Sequence, residues 1–98
     1  MANNLTTDPI VIDTFSVDVV ISAIGLKVKS IIFTSDSVGD VFVLEDVNGV
    51  EIFRAKINSA DASIVWTPSD GQWFNKGVYL NVSRGTYTGT AKALIYIY

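Results

Sequence analysis

The chain contains no cysteine and no histidine among its 98 residues, and it is short of charge. Without cysteine there is neither a disulfide nor a thiolate metal site, so stability must come from packing, helped by oligomerisation. Without histidine the commonest general base and the commonest metal ligand are missing. Charged residues make up 17% against 49% hydrophobic. A body this small has much surface for its volume, so part of that apolar content must stay outside. Such surface is expected to meet another copy or another protein. Ten acids against seven bases give a net charge of −3 and a pI of about 4.5. A nucleic-acid-binding domain would instead carry a basic stripe. The first nine residues have neither the basic nor the apolar region of a signal peptide. The most apolar stretch, 17–26, holds Asp18 and Ser22 and is too short to cross a bilayer. The expectation is a soluble protein made in the cytoplasm, without nucleic-acid or membrane partners and without a cofactor.

What is present is β-branched and aromatic, in short runs broken by Gly, Asn and Asp. That spacing predicts one small all-β sandwich over residues 10–98, with about eight antiparallel strands. Strands are predicted at 10–15, 17–24, 27–34, 40–46, 50–57, 63–66, 77–82 and 91–98. A single helical turn is predicted at 59–62, and residues 1–9 read as a flexible polar arm. The strongest local signal is Val47-Asn48-Gly49-Val50, a predicted two-residue type I′ hairpin. That turn would set Leu44 opposite Phe53 and Val43 opposite Arg54, with Asp46 opposite Glu51. By alternation Phe42, Leu44, Phe53, Ala55 and Ile57 then face the core. The other face would hold Val41, Val43, Val47, Val50 and Ile52 among Glu45, Arg54 and Lys56. A solvated face would not normally carry five aliphatics, so Val41, Val43, Val50, Ile52 and Arg54 are candidate interface residues. The last strand is apolar on both faces, with Leu94, Tyr96 and Tyr98 on one of them. Such a strand sits centrally or is covered by a neighbour, and these three join the interface candidates.

Chemistry finds little to work with. No G-x-S-x-G elbow is present and no histidine exists to activate a serine. Asp46 and Glu51 form the one predicted carboxylate pair, yet so small a domain cannot wall a deep cleft around them. Asp36, Asp40, Asp46, Glu51, Asp61 and Asp70 fall in or near loops, as calcium ligands would, but without the spacing of a calcium loop. Lys27 with Lys29, and Arg54 with Lys56, read as solvent-facing charge. The aromatics cluster late, and Trp73 and Phe74 lie in a turn-rich stretch where one of them is expected to be exposed for binding. No catalytic, metal or cofactor residues are assigned, and no enzyme is expected.

Taken in order, a short polar arm is followed by Ile10-Val11-Ile12-Asp13-Thr14 and Leu26-Lys27-Val28-Lys29-Ser30-Ile31. Then come Gly39-Asp40-Val41-Phe42-Val43-Leu44-Glu45-Asp46-Val47-Asn48-Gly49, a turn segment from Trp66 to Trp73, Lys76-Gly77-Val78-Tyr79-Leu80 and an apolar last strand. Over nearly its full length this pattern resembles small virion proteins of tailed bacteriophages, which are jelly-roll-like β-sandwiches. The loop at 84–90 is longer than that pattern has before its last strand. The resemblance implies a capsid decoration or cement subunit, assembled in the host cytoplasm into the virion. It also implies a homo-oligomer, a trimer, bound to the major capsid protein or another virion protein. A carbohydrate- or receptor-binding module of a tail or fibre, working through Trp73 and Phe74, is the alternative expectation.

Overall fold

The computed structural model describes residues 3, 5–59 and 62–98. Among the described residues nine strands follow one another: β1 (Ile10–Ile12), β2 (Val19–Ser22), β3 (Leu26–Ser35), β4 (Val41–Glu45), β5 (Glu51–Lys56), β6 (Ala62–Trp66), β7 (Gln72–Phe74), β8 (Val78–Leu80) and β9 (Ala91–Ile97). A 3-10 turn, Val82–Arg84, sits between β8 and β9. The predicted helical turn falls partly on residues 60 and 61, outside the described residues, as does Asp61.

All strand pairs are antiparallel, and they nest. β4 pairs with β5 across the hairpin, β3 with β6 and β7, β2 with β8, and β1 with β9. The chain is therefore one long ribbon, folded at residues 46–50 and then rolled up. Rolling brings β9 beside β3 and β8 beside β4, giving two facing sheets in the orders β1-β9-β3-β6 and β2-β8-β4-β5. This is the jelly-roll order. β7 is an additional short strand that extends along β3, pairing Lys27 with Trp73, where β6 has already left it.

Alternation fills the space between the sheets with Ile10, Ile12, Val28, Ile31, Phe33, Phe42, Leu44, Ala55, Val78, Leu80, Ala93 and Ile95, all buried. Phe33 stacks on Phe42 at 5.1 Å and Phe15 on Tyr87 at 4.3 Å, with edge contacts between the two pairs. A second group, Phe53, Trp66 and Phe74, continues from Phe42 toward the hairpin end. Such pairs add about 0.5–1.5 kcal/mol each beyond the area they bury. Together they anchor both ends of a core that has no covalent cross-link.

The hairpin departs from the predicted turn. Gly49 alone takes positive φ, at 78°, and Asn48 does not. The Asp46 carboxylate accepts from the Asn48 and Val50 amides at 2.8 and 3.0 Å, and the Asp46 amide donates to the Val50 carbonyl. An Asp that caps its own turn favours this three-residue loop over a two-residue type I′ turn. The predicted pairs Leu44–Phe53, Val43–Arg54 and Phe42–Ala55 form, but Glu45 then meets Glu51. Ile52 is thereby left as a bulge residue and turns to pack against the core.

The described part of residues 1–9 lies against the body, unlike the expected arm. The Asn3 side chain accepts from the Asp13 and Thr14 amides at 2.9 Å. Leu5 packs on the core, and the Asp8 carboxylate takes the Ile97 amide at 3.1 Å. No helix among the described residues is long and apolar enough to cross a membrane.

Candidate assembly interface

The outer face of the β1-β9-β3-β6 sheet is built by register. Leu94 lies opposite both Val11 and Ile32, and Ile32 lies opposite Val65. Four aliphatic side chains thus cross four strands in one continuous row. Two residues along β9, Tyr96 sits opposite Ser30. In β3 the buried positions run Val28, then Ile31, Phe33 and Ser35. The register shift between Val28 and Ser30 changes the phase and leaves Lys27, Lys29 and Ser30 facing outward. Beyond the row the face ends in Tyr98 and Trp73, 64% and 56% exposed. Tyr98 rests on Gly71, whose φ is 77° and where a Cβ would collide with the Tyr98 ring. The Lys27 and Lys29 ammonium groups stand over that ring at 4.7 and 5.9 Å from its centre. Val65 is 62% exposed, whereas Val11, Ile32, Leu94 and Tyr96 are half-buried by one another.

Charge on this face is of one sign. The strands β1, β3, β6, β7 and β9 hold Lys27, Lys29 and Lys92 and no acid. Their +3, set against the chain's −3, leaves −6 on everything else. The face is therefore apolar, aromatic and basic in an acidic protein.

The opposite sheet differs. Val43, expected on an exposed second face, is fully buried. Along β4 the neighbouring strand runs from Tyr79, opposite Glu45, to Thr86, bridged to Val41. The neighbour uses eight residues where β4 uses five, and the 3-10 turn takes up the surplus. Its Arg84 reaches Glu45, on the same face as Val43, at 2.8 Å. Val41 is half-buried, Val50 is exposed at the hairpin tip, and Arg54 is exposed but tied to Glu51 at 2.8 Å. Phe74 is buried in the core, so it does not share Trp73's exposure. Of the ten interface residues named from sequence, Val43 and Phe74 are thus inaccessible and Ile52 is turned inward. Leu94, Tyr96, Tyr98 and Trp73 lie together on one outer face. Val11, Ile32 and Val65 complete it and were not named. Their signal was the alternation in β6 and in the second half of β3, hidden by the phase change at Lys29.

The loop carboxylates go to backbone donors. Asp40 is fully buried. It accepts from the Ser35 hydroxyl at 2.7 Å, the Thr88 amide and hydroxyl at 2.9 and 2.7 Å, and the Gly89 amide at 3.1 Å. Burial pushes its pKa up more than any single bond pulls it down, but the hydrogen bonds together prevail and hold it at about 2. Asp36 accepts the Thr90 amide at 2.8 Å, so these two acids pin the long loop before β9. Burial raises the Tyr87 hydroxyl to about 12, against the bond it accepts from the Val43 amide. Asp46 and Glu51, the predicted carboxylate pair, are separated: Asp46 caps the turn and Glu51 holds Arg54. Among the described residues no three His, Cys, Asp or Glu side chains converge to hold a metal ion.

Hollows are shallow. One of about 280 Å³ is bordered by Asp46, Ile52, Gln72, Trp73, Asn75 and Lys76. Another of about 420 Å³ lies between residues 13–16 and 87–91. Comparison with protein-family models, with curated proteins and with solved structures gives no match to this chain.

Proposed function

We propose that the chain is a structural subunit of a tailed-phage virion, a capsid decoration or cement protein that acts as a homo-oligomer of three copies bound to the shell. The observation that carries this reading is the outer face of the β1-β9-β3-β6 sheet. Its unbroken apolar row, ringed by Tyr96, Tyr98 and Trp73, is the kind of patch that marks a protein contact. The jelly roll, common in viral capsid proteins, agrees with it by analogy of fold. Weak contacts repeated by symmetry would stabilise a shell through multivalency. The test is light scattering followed by co-sedimentation with phage particles. A multiple of the 10.6 kDa chain mass that travels with particles is expected. A monomer that ignores them would refute the proposal.

A second reading is a carbohydrate-binding module of a tail or fibre. It is favoured by Trp73, exposed beside the 280 Å³ hollow with Asp46, Gln72, Asn75 and Lys76 on its border. An indole next to polar side chains suits a stacked sugar ring. Saturable quenching or shift of tryptophan fluorescence by glycans, lost in Trp73→Ala, is the outcome this reading requires.

A further inference from the structure

Stacking two β1-β9-β3-β6 sheets face to face would oppose Lys27, Lys29 and Lys92 with themselves, and these strands hold no acid to offset it. A second copy meets no such repulsion at the edge of the sheet. An edge strand offers unpaired backbone donors and acceptors to any strand that can lie beside it, so folded proteins protect their edges by shortness, charge, proline or a bulge. Most edges here are protected in one of these ways. β1 and β7 have three residues each, and Pro9 precedes β1. β2 has four, broken by a register shift. β5 carries Glu51, Arg54 and Lys56. β6 differs: it ends the order β1-β9-β3-β6, has five residues, and from Ala62 to Thr67 holds neither charge nor proline.

The core is also open along this edge. At the other end of the same sheet the inward residues of β1, Ile10 and Ile12, are buried. The inward residues of β6, Ala62, Ile64 and Trp66, are all only half-buried, although they pack against the core. Outward, Val65 is exposed and ends the aliphatic row. One strand laid along β6 therefore covers apolar side chains on both faces of the sheet. β6 itself suits that place. Paired antiparallel with its own copy about Ile64, it sets Ala62 against Trp66, Ser63 against Val65, and Ile64 against Ile64, so that a small side chain meets a large one and aliphatics meet at the centre. Moving the centre to Val65 would bring Pro68, which cannot donate, opposite Ala62.

We infer that two copies of the chain pair through β6, antiparallel and centred on Ile64, so that their β1-β9-β3-β6 sheets become one across a two-fold axis. The aliphatic row of one copy continues, stepped by two residues, into that of the other. Both β6 strands then stand between the lysines of the two copies. The inference rests on the assembly reading proposed above, in that copies associate. It adds a two-fold contact, separate from the one that holds three copies, through which one trimer meets the next.

The chain has no cysteine of its own, so introduced thiols report the register. Ser63 and Val65 are exposed, and Ser63→Cys and Val65→Cys are expected to fold as the wild type does, checked by circular dichroism under reduction. The two variants are mixed and oxidised, and the disulfide-linked species are identified by intact mass. In the inferred register position 63 of one copy lies directly opposite 65 of the other, within disulfide reach, whereas like positions lie on a diagonal of about 7–8 Å, beyond it. The mixed disulfide should exceed either like one by about tenfold or more. Sedimentation velocity of the wild type is run alongside. Dimers with the mixed preference uphold the β6 contact and refute only the three-copy number. A wild type that assembles while the variants give mixed and like disulfides in statistical proportion, or none, overturns the β6 contact and leaves the assembly reading standing. A wild type monomeric at its highest soluble concentration overturns both.

Discussion

The two sheets present opposite outer faces, although both are built from β-branched and aromatic residues. On the β2-β8-β4-β5 sheet the central apolar residue Val43 is buried, and Val20, opposite Tyr79 on the edge strand, is the exposed aliphatic. Val41 bridges to Thr86, Arg84 of the 3-10 turn ties to Glu45, and Arg54 ties to Glu51. On the β1-β9-β3-β6 sheet no strand or turn of the described residues lies across the row Val11–Leu94–Ile32–Val65, and the only charges in its strands are lysines. The difference shows that apolar side chains on an outer sheet face carry two meanings. Val43 belongs to the folding of the monomer, whereas Val65 is surface that folding leaves unused.

The sharpest way to break this comparison is to place the same side chain on each face. Val43→Lys puts an ammonium group at a fully buried position and is expected to destabilise by about 3 kcal/mol or more in urea unfolding. Val65→Lys, on an exposed edge position, should change monomer stability by no more than about 1 kcal/mol. Equal effects at the two sites would erase the distinction.

Next in size is Asp40, whose bonds to Thr88 and Gly89 hold the long loop before β9. Asp40→Asn keeps the shape but loses the charged acceptor, an expected loss of about 2–3 kcal/mol at neutral pH. The sign of the pH dependence follows from a folded-state value of about 2 against an ordinary 3.8. Asp40 contributes its full stabilisation above the ordinary value and loses it as pH falls between 3.8 and 2. The Asn variant should therefore show a flatter fall of melting temperature over that window. A variant as acid-sensitive as the wild type would remove Asp40 from the account.

Smaller still is Arg84→Ala, which strands a Glu45 side chain only 7% exposed. A loss of about 1–2 kcal/mol is expected in chemical denaturation. Arg54→Ala should leave the unfolding midpoint unchanged, because its partner Glu51 is exposed and salt-screened. A larger effect at Arg54 than at Arg84 would mean that the solvated pair, not the 3-10 turn, holds that face.

Much of the fold was legible because period-2 alternation survives wherever strands are regular. Eight of the nine strands were found near their places, and Leu44, Phe53, Phe42 and Ala55 paired as predicted. What escaped has a common physical origin in single-residue insertions. The bulge at Ile52 and the phase change at Lys29 each send a side chain to the face opposite its alternation. β7 lies in a turn-rich stretch, with no alternation on either side of its three residues to be read. Val43 was misplaced for another reason: it lies between Val41, bridged to Thr86, and Glu45, tied to Arg84, and such contacts between segments far apart in sequence are not expressed by alternation. The candidate surface was half legible. Leu94, Tyr96 and Tyr98 alternate on an uninterrupted strand, whereas Ile32 and Val65 join them only once the register of three strands is known.

The central claim is that the β1-β9-β3-β6 face is an assembly surface, and sedimentation velocity of the wild type beside Val65→Lys tests it most directly. The account predicts an oligomeric wild type and a monomeric variant with a matching circular dichroism spectrum. A wild type that sediments as a single 10.6 kDa chain, or a variant that keeps the wild-type mass, would contradict it.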